Sequence, residues 1–469
     1  MEQVIENRRK QWLLLSVVAL ALFLDALDGT IVNVVLPNIA ESFGSGTGTT
    51  SWVVTLYYLA MAGLILIFGK IADCGAVKRL FIAGLMTFAI SSLACGLSPT
   101  LGVLLVFRAV QGVGAAMMAT TAFMLCVKYL PRRMATFSLS VSVLGTSLGA
   151  AVGPALGGVL GEMVSWHMVF FINVPIGLIG AVVAMHAIPR DTGFNGGRFD
   201  VAGAAVLFLA MVTGLYAMES IPSGGLSPAS AACIPVSLIL LAVFIVIERR
   251  AADPVLKISL FGYLRLDAAI LTLILMNVCF LGALYLLPFY LQVVAGLDTI
   301  SSGIYLFIPS VGTLAFCLFV GKAADRIGNR PFVIASCVTM FLSMVIFYLL
   351  GPDPGMLMVT GLLLFGITWG LAGGPLGGRM LENVPVDDRP KASSLISFFI
   401  YFGSAMGSAM FAGLFGLGSG SSGISIDSLA PDVFMDGFRF AMVFAIALTV
   451  MMFLLSAGVD ERRSADGRK

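Results

Sequence analysis

The chain has 469 residues, of which 59% are hydrophobic and only 11% are charged, and its mean hydropathy is +1.02. A water-soluble protein of this length needs more charge to cover its surface, and a membrane β-barrel with a wet interior needs more polar residues. The composition therefore predicts an all-α integral membrane protein. The net charge of +2 gives no reason to expect a nucleic-acid partner.

The reactive side chains are few and scattered. The 7 cysteines lie mostly within apolar runs and form no paired motif, so the sequence predicts neither a disulfide framework nor a metal site. The 2 histidines are not paired, and no nucleophile elbow or phosphate-binding loop is present. We therefore expect that this protein is not an enzyme.

Fourteen apolar runs are long enough to cross the hydrocarbon core of a bilayer, which takes about 20 helical residues. Lipid offers no hydrogen-bond partner to the backbone, so each run is predicted to be a helix. In chain order they are 12–36, 52–69, 80–97, 101–127, 134–160, 166–188, 201–218, 231–247, 268–294, 302–320, 332–350, 356–376, 392–417 and 438–455.

The basic residues predict how these helices are oriented. All Lys and Arg residues except Arg108 and Arg439 fall in loops or tails on one side, which we call the basic side. The loops of the opposite side, which we call the acidic side, carry Glu and Asp but no Lys or Arg. By the positive-inside rule, the basic side and both termini are predicted to be cytoplasmic.

A short motif occurs twice on the basic side. Residues 69–73 read GKIAD, and residues 321–326 read GKAADR. Such an internal repeat is typical of a duplicated transporter. It predicts two six-helix bundles, over 1–190 and 266–469, joined by a linker over 191–265 that contains two additional transmembrane helices.

Three ionisable residues lie deep in the predicted spans: Asp25, Asp28 and Arg108. A charge at the bilayer centre costs about 2.5–3.5 kcal/mol, and such residues normally face a cavity and have partners. Asp25 and Asp28 are three residues apart, so they share one helix face. With a rise of ~1.5 Å per residue, Asp28 and Arg108 are predicted at similar depths, about 10–14 Å below the acidic side. The two residues can therefore meet.

Two interpretations of these charges stay open. In the first, Asp28 takes and releases a proton under the influence of Arg108, and Asp25 is a second proton-coupling or substrate-binding carboxylate. In the second, Asp28 and Arg108 form a permanent ion pair that only fixes helix packing. Independently of these two, Asp25 alone can be a spectator that faces water.

The fifth apolar run carries small residues at intervals of four. Gly149, Gly153 and Gly157 fall along one stripe of this helix, and Pro154 follows Gly153 directly. Small residues let helix backbones approach closely, and proline removes a backbone hydrogen bond. The stripe predicts either tight packing alone or a hinge between halves that rock against each other.

Five segments together resemble a known family. They are residues 27–37 (LDGTIVNVVLP), 108–114 (RAVQGVG), 149–158 (GAAVGPALGG), 170–177 (FFINVPIG) and 288–292 (PFYLQ). In this order and on these spans, they are similar to the motifs of the fourteen-helix drug:proton antiporter branch of the major facilitator superfamily. The resemblance implies a proton-coupled multidrug efflux antiporter of the cell membrane that exports lipophilic, cationic compounds by alternating access. It implies a proton gradient as the energy source and no cofactor.

The resemblance also implies roles for individual residues. Asp28 resembles the family's protonatable carboxylate and Arg108 its proton-transfer arginine, and Gly153 with Pro154 resembles the antiporter hinge. The implied gating residues of the two repeated loops are Asp73, Asp325 and Arg326. In the first loop this chain departs from the family pattern, with Cys74, Ala76 and Val77 in place of Arg, Gly and a basic residue.

A transporter of this kind is expected to bind its substrate near the midplane, between the two halves. Aromatic faces beside a carboxylate suit a lipophilic cation, although a single aromatic ring in such a position can also face lipid or serve only in packing. The predicted substrate-binding residues are Asp25, Asn33, Tyr57, Gln111, Asn277, Tyr285, Gln292, Trp369 and Tyr401.

The expected partners are the lipid bilayer, small lipophilic or cationic substrates, and protons. A monomer is compatible with the sequence, which does not determine the oligomeric state. The main alternative function is proton-coupled transport of one specific metabolite or lipid, by export or by symport uptake. A membrane enzyme or sensor is a second alternative that no motif supports.

Overall fold

A computed structural model describes residues 5–131, 135–191, 201–220, 228–250, 264–382, 389–420 and 430–458. Within these ranges the regular structure is helical. The helices are α1 (Arg8–Phe43), α2 (Thr47–Ile71), α3 (Val77–Gly96), α4 (Leu101–Tyr129), α5 (Ala135–Met163), α6 (Met168–Phe171), α7 (Asn173–Ala187), α8 (Val201–Ser220), α9 (Pro228–Arg250), α10 (Leu264–Phe289), α11 (Thr299–Ile327), α12 (Arg330–Tyr348), α13 (Gly355–Glu382), α14 (Arg389–Ser419) and α15 (Pro431–Gly458).

The helices coincide with the predicted apolar runs. Among the described residues, 13 helical stretches are long and apolar enough to cross a membrane, with α6 and α7 forming one of them, Met168–Ala187. The predicted run 201–218 is helical as α8, but its described apolar stretch is the shorter Ala202–Ala217. The prediction of an all-α membrane protein is confirmed.

Capping residues fix several helix ends. The Asn7 side chain accepts hydrogen bonds from the backbone N–H groups of Arg9 and Lys10 and so begins α1. Gly44, with a φ of 58°, ends the same helix in the left-handed conformation that glycine adopts without strain. Thr100 caps α4 in the same way as Asn7 caps α1.

Two helices widen into π-helical turns where the sequence predicts uninterrupted structure or a simple loop. After α2, the turn Ala72–Ala76 contains Gly75 with a φ of 105° and carries the first copy of the repeated motif toward α3. After α10, the turn Tyr290–Val294 follows Pro288, which cannot donate a backbone hydrogen bond to the helix.

The helices pack as two groups that face each other. In the first half, α1 packs on α5, and α4 packs on both α2 and α3. In the second half, α10 packs on α14, and α13 packs on both α11 and α12. The halves meet where α2 contacts α14 and where α5 contacts α11.

The two additional helices lie at one of these seams. α8 and α9 pack on each other, and α8 also contacts both α2 and α14, one helix from each half. The predicted borders of this insertion, 190/191 and 265/266, adjoin residues 192–200 and 251–263, which lie outside the described part. The domain borders therefore stay a prediction.

The glycine stripe of α5 brings two different helices close to it. A Cβ at Gly149 would meet the backbone of Phe23 and Leu27 on α1, so only glycine allows this approach. On the neighbouring edge, Gly303 of α11 lies against the Pro154 carbonyl of α5. The glycine stripe thus packs on α1 within the first half, while the neighbouring face of α5 at Pro154 packs on α11 of the second half. A hinge role for this helix stays a prediction.

Candidate functional site

Asp28 and Arg108 form an ion pair inside the first half. The Arg108 Nη1 atom lies 2.5 Å from Asp28 Oδ2, and their side chains are 1% and 0% exposed, respectively. The predicted meeting of these two residues is thus confirmed. Because neither charge reaches solvent, each depends on the other and on the surrounding polar groups for its stability.

Further contacts immobilise the guanidinium of Arg108. Its Nε donates to the Val53 carbonyl at 2.9 Å, and its Nη1 also donates to Gln111 Oε1 at 2.8 Å. The guanidinium carbon lies 4.4 Å from the centre of the Tyr57 ring and 5.7 Å from that of Phe170. The arginine is therefore held by charge, hydrogen bonds and cation–π contact together.

The second oxygen of Asp28 is held by two amides. Gln111 Nε2 donates to Asp28 Oδ1 at 2.9 Å, and Asn173 Nδ2 donates to the same atom at 3.0 Å. Asn173 Nδ2 also donates to Ser92 Oγ at 3.2 Å, and Ser92 donates in turn to the Phe170 carbonyl. The predicted residue Gln111 thus belongs to the ion-pair network rather than to an open surface.

Asn173 and Ser92 are site residues that the sequence prediction omits. Asn173 begins α7 within the motif at 170–177, and it is 0% exposed in the middle of an apolar run. The same signal that marks Asp28, a polar side chain in an intramembrane position, was available for Asn173.

Asp25 occupies a different environment from Asp28. It keeps part of its surface exposed, whereas Asp28 is fully buried. Tyr57 donates its hydroxyl to Asp25 Oδ1 at 2.7 Å, and Tyr401 donates its hydroxyl to Asp25 Oδ2 at 3.1 Å. Since Tyr401 lies on α14, this carboxylate joins the first half to the second.

Three tyrosine rings surround this carboxylate. Tyr58 stacks on Tyr401 with ring centres 6.3 Å apart, and it meets Tyr57 edge-on at 5.3 Å. Tyr57 is fully buried and links the environments of the two acids. Its hydroxyl donates to Asp25, while its ring face lies over Arg108, the ion-pair partner of Asp28. Tyr57 and Tyr401 thus meet at Asp25, as components of one cluster.

Three of the predicted substrate-binding residues are buried in helix packing. Asn33 donates to the Gly29 carbonyl at 2.6 Å and Asn277 to the Leu273 carbonyl at 2.9 Å, each within its own helix. Tyr285 is fully buried in α10. Their contact with substrate stays a prediction.

Two more predicted residues keep part of their surface exposed. Gln292 donates from the π-turn after α10 to the Val34 carbonyl of α1 at 3.1 Å, so it bridges the halves. Trp369 stacks on Phe280 with ring centres 5.7 Å apart. Both lie in the second half, and their role in binding also stays a prediction.

Polar contacts also join the two halves. The Thr55 hydroxyl of α2 lies 2.8 Å from the Ser408 hydroxyl of α14. At the end of α5, Glu162 Oε2 accepts from the backbone N–H of Thr299, the first residue of α11, at 3.1 Å. Ser408 follows Tyr401 on α14 toward the acidic side, so these bonds join the halves on the acidic side of the cluster.

The structure describes the backbone positions of the predicted gating residues. Asp73 lies in the π-turn after α2, and Asp325 and Arg326 lie near the end of α11. Their side chains fall outside the described part, and their gating role stays a prediction.

The sequence model of the Major Facilitator Superfamily matches residues 18–408. The chain belongs to this superfamily. The matched stretch includes the ion pair, the tyrosine cluster and the glycine stripe, and the resemblance found in the sequence motifs is confirmed.

Similar proteins carry names related to drug resistance. The chain is 30% identical to "Putative multidrug resistance protein MdtD" of Shigella flexneri over 450 residues, which cover 94% of this chain and 93% of that protein. It is 29% identical to the protein of the same name from Escherichia coli (strain SMS-3-5 / SECEC), with the same coverage.

Solved transporters share the fold. A bacterial homologue of the human lysosomal transporter Spinster, inward-facing and unoccupied, aligns with a TM-score of 0.64 at 15% identity, over 96% of this chain and 98% of that chain. The nucleoside transporter NupG (D323A mutant) aligns with a TM-score of 0.65 at 14% identity, over 94% of this chain and 100% of that chain. This protein is therefore a multi-pass inner-membrane transporter of small molecules and not an enzyme.

Proposed function

We propose that this transporter exports lipophilic cationic compounds in exchange for protons, by alternating access and without a cofactor. One observation carries the proposal: the Asp25 carboxylate lies between the two halves, held by Tyr57 from one and Tyr401 from the other. The multidrug resistance names of its relatives support export of drugs, without specifying their charge.

Charge balance explains why a proton and a cation would exchange here. An uncompensated carboxylate within a bilayer is unfavourable, and either a proton or a bound cation neutralises it. Because one group cannot carry both, binding of one favours release of the other. The neighbouring tyrosine rings add cation–π attraction, which favours an organic cation over a neutral molecule.

The contacts between the halves support alternating access. The Thr55–Ser408 and Glu162–Thr299 hydrogen bonds join the halves on the acidic side of Asp25. Opening the cluster toward the acidic side requires that these bonds break while each half moves as a unit.

Reconstituted vesicles test this function directly. The protein is inserted into vesicles whose interior is acidic, and uptake of a fluorescent lipophilic cation is followed with and without a protonophore. We expect uptake against the dye gradient that stops when the protonophore collapses the pH difference. The Asp25→Asn/Asp28→Asn/Arg108→Gln triple variant, which removes both acids without leaving Arg108 unpaired, is expected to lose this gradient-driven uptake.

Two results would contradict the proposal. Equal uptake with and without the pH difference would indicate a facilitator. If only one compound among several unrelated lipophilic cations is taken up, the protein is better described as a transporter of one specific metabolite.

A further inference from the structure

We infer that the two carboxylates of α1 have separate roles: Asp25 exchanges its proton for the cargo cation, while Asp28 stays a permanent anion that holds Arg108. This inference rests on the proposed function and deepens it, because it assigns the exchange to one residue. It is drawn from the hydrogen-bonding chemistry of the groups around each acid.

The surroundings of Asp28 favour its ionised form. All three hydrogen-bond partners, on Arg108, Gln111 and Asn173, present N–H donors to it. A protonated carboxyl group needs an acceptor for its new hydrogen, and a guanidinium group has none. Gln111 cannot supply one by turning, because its oxygen already accepts from Arg108. Asn173 could present its Oδ1 atom, which has no partner among the described residues, only by turning its amide and giving up the bond that its Nδ2 donates to Ser92. Protonation of Asp28 would also leave a fully buried arginine without its counter-ion.

The surroundings of Asp25 suit both of its forms. Its partners are the hydroxyls of Tyr57 and Tyr401, and a phenol hydroxyl can donate or accept. The ionised carboxylate accepts from both hydroxyls, whereas the protonated acid can donate to one of them. Because Asp25 is partly exposed and Asp28 is not, Asp25 is also the acid that a proton or a cation can reach.

Among the charged and titratable groups around Asp25 in the described part of the chain, none supplies it with a counter-ion. They are Asp28 on α1, Tyr57 and Tyr58 on α2, and Tyr401 on α14, with Arg108 of α4 beyond the Tyr57 ring. On the α5 side, Gly149 packs against this part of α1 and brings no charge. Arg108 is already neutralised by Asp28, so among the groups of the described residues named here no cation is left to face Asp25 unless cargo supplies one.

The exchange step then balances. A lipophilic cation enters among the tyrosine rings, the O–H bond of Asp25 breaks, and the proton passes to water. The new carboxylate pairs with the cation, and the cluster stays neutral throughout. Because Tyr401 belongs to the second half, the cation disturbs a hydrogen bond between the halves at the moment when it binds.

Proton release on cation binding tests the assignment. Tetraphenylphosphonium, a lipophilic cation that cannot titrate, is added to purified protein in weak buffer, and the pH change and the Kd are measured over a pH series. For the natural protein we expect about one proton released per cation bound, and a Kd that weakens about tenfold per pH unit on the acid side, as competition at one site requires. Asp25→Asn is expected to bind without proton release and with a Kd that does not depend on pH.

The Asp28→Asn/Arg108→Gln double variant removes the ion pair as a unit and is expected to keep proton release, with weaker binding. Asp298→Asn, which changes an acid outside the membrane to another good helix-capping residue, is the matched control and is expected to match the natural protein. The assignment is overturned if Asp25→Asn still releases a proton, or if only the Asp28→Asn/Arg108→Gln variant loses release.

If the double variant does not fold, infrared difference spectra of the natural protein and of Asp25→Asn test the same assignment. The band of a protonated carboxyl group is expected to vanish on cation binding and to be missing in Asp25→Asn; its persistence in that variant would overturn the assignment. Proton release without gradient-driven vesicle uptake would refute the export function and leave the assignment intact. Gradient-driven uptake that Asp25→Asn preserves would refute the assignment alone.

Discussion

At the scale of single residues, the Asp28–Arg108 pair shows why buried charges are stable only as a complete set. Removing one member of a buried ion pair leaves a charge with no counter-ion in a place that water does not reach. Removing both leaves neutral groups that can still bond to their neighbours. The effects of the two substitutions should therefore be strongly non-additive.

We predict that Asp28→Asn and Arg108→Gln each lower the free energy of unfolding by about 3–5 kcal/mol, because each leaves the other charge unpaired. The Asp28→Asn/Arg108→Gln double variant should lose much less than the sum of the two. Chemical denaturation in detergent measures all three. A simple sum of the single effects would show that the two residues do not depend on each other.

Asn173 allows a second test at this scale. Asn173→Ala removes one buried donor from Asp28 and should cost about 1–3 kcal/mol, since the carboxylate oxygen loses a partner that water cannot replace. The matched control is Asn38→Ala, which removes a long 3.4 Å bond to Thr299 from a half-buried side chain. Thermal unfolding of both variants is measured in the same detergent, and we expect a clearly lower Tm for Asn173→Ala than for the control. Equal Tm values would contradict the role given to Asn173.

At the scale of helices, close backbone approach explains why α5 carries so many glycines. At Gly149 the neighbours of a new Cβ would be backbone atoms of α1, which cannot move aside as a flexible side chain can. The same helix presents Pro154 to Gly303 of α11, so α5 is packed tightly on two sides.

We predict that Gly149→Ala lowers stability by about 1–3 kcal/mol, because the added methyl group forces α1 and α5 apart. Gly102→Ala is the control: no atom lies within 4 Å of its Cβ position, and alanine favours the helical conformation by up to about 1 kcal/mol. In thermal unfolding, we expect Gly149→Ala to have a lower Tm than the natural protein and Gly102→Ala to have an equal or higher one. A stable Gly149→Ala protein would mean that the helix contact is looser than described.

At the scale of the whole molecule, the seam between α2 and α14 carries both the tyrosine contacts to Asp25 and a hydrogen bond between the halves. Tyr401 and Ser408 both lie on α14, and both bond to the first half, at Asp25 and at Thr55. The helices α2 and α14 therefore carry both the tyrosines that bind Asp25 and the Thr55–Ser408 hydrogen bond.

A disulfide across this seam should stop transport. The Thr55 and Ser408 hydroxyl oxygens are 2.8 Å apart, so Thr55→Cys/Ser408→Cys places two thiols close enough to form a bond on oxidation. We expect oxidised protein in vesicles to lose dye uptake and to regain it on reduction, because the halves can no longer separate there.

The matched control joins two helices of the same half. Thr339 of α12 and Thr368 of α13 have hydroxyl oxygens 2.9 Å apart, and Thr339→Cys/Thr368→Cys should form a disulfide without loss of uptake. Equal loss in both variants would indicate a general effect of oxidation, and full uptake by the locked Thr55→Cys/Ser408→Cys protein would contradict movement at this seam.

The sequence by itself determined the helices, their membrane-spanning character and the deep charges. The reason is that hydrocarbon imposes simple local rules: a span needs about 20 apolar residues, and any charge within it is costly enough to be conspicuous. The depth count along α1 and α4 was sufficient to predict that Asp28 and Arg108 can meet.

Only the tertiary structure decided which groups surround each acid. Asn173 is 145 positions from Asp28, and Tyr401 is 376 positions from Asp25, so no local pattern relates them. Asp25 and Asp28 look alike in sequence, three residues apart on one helix. They differ because folding surrounds Asp28 with buried N–H donors, whereas it places Asp25 between two phenol hydroxyls that can donate or accept, where the two halves meet.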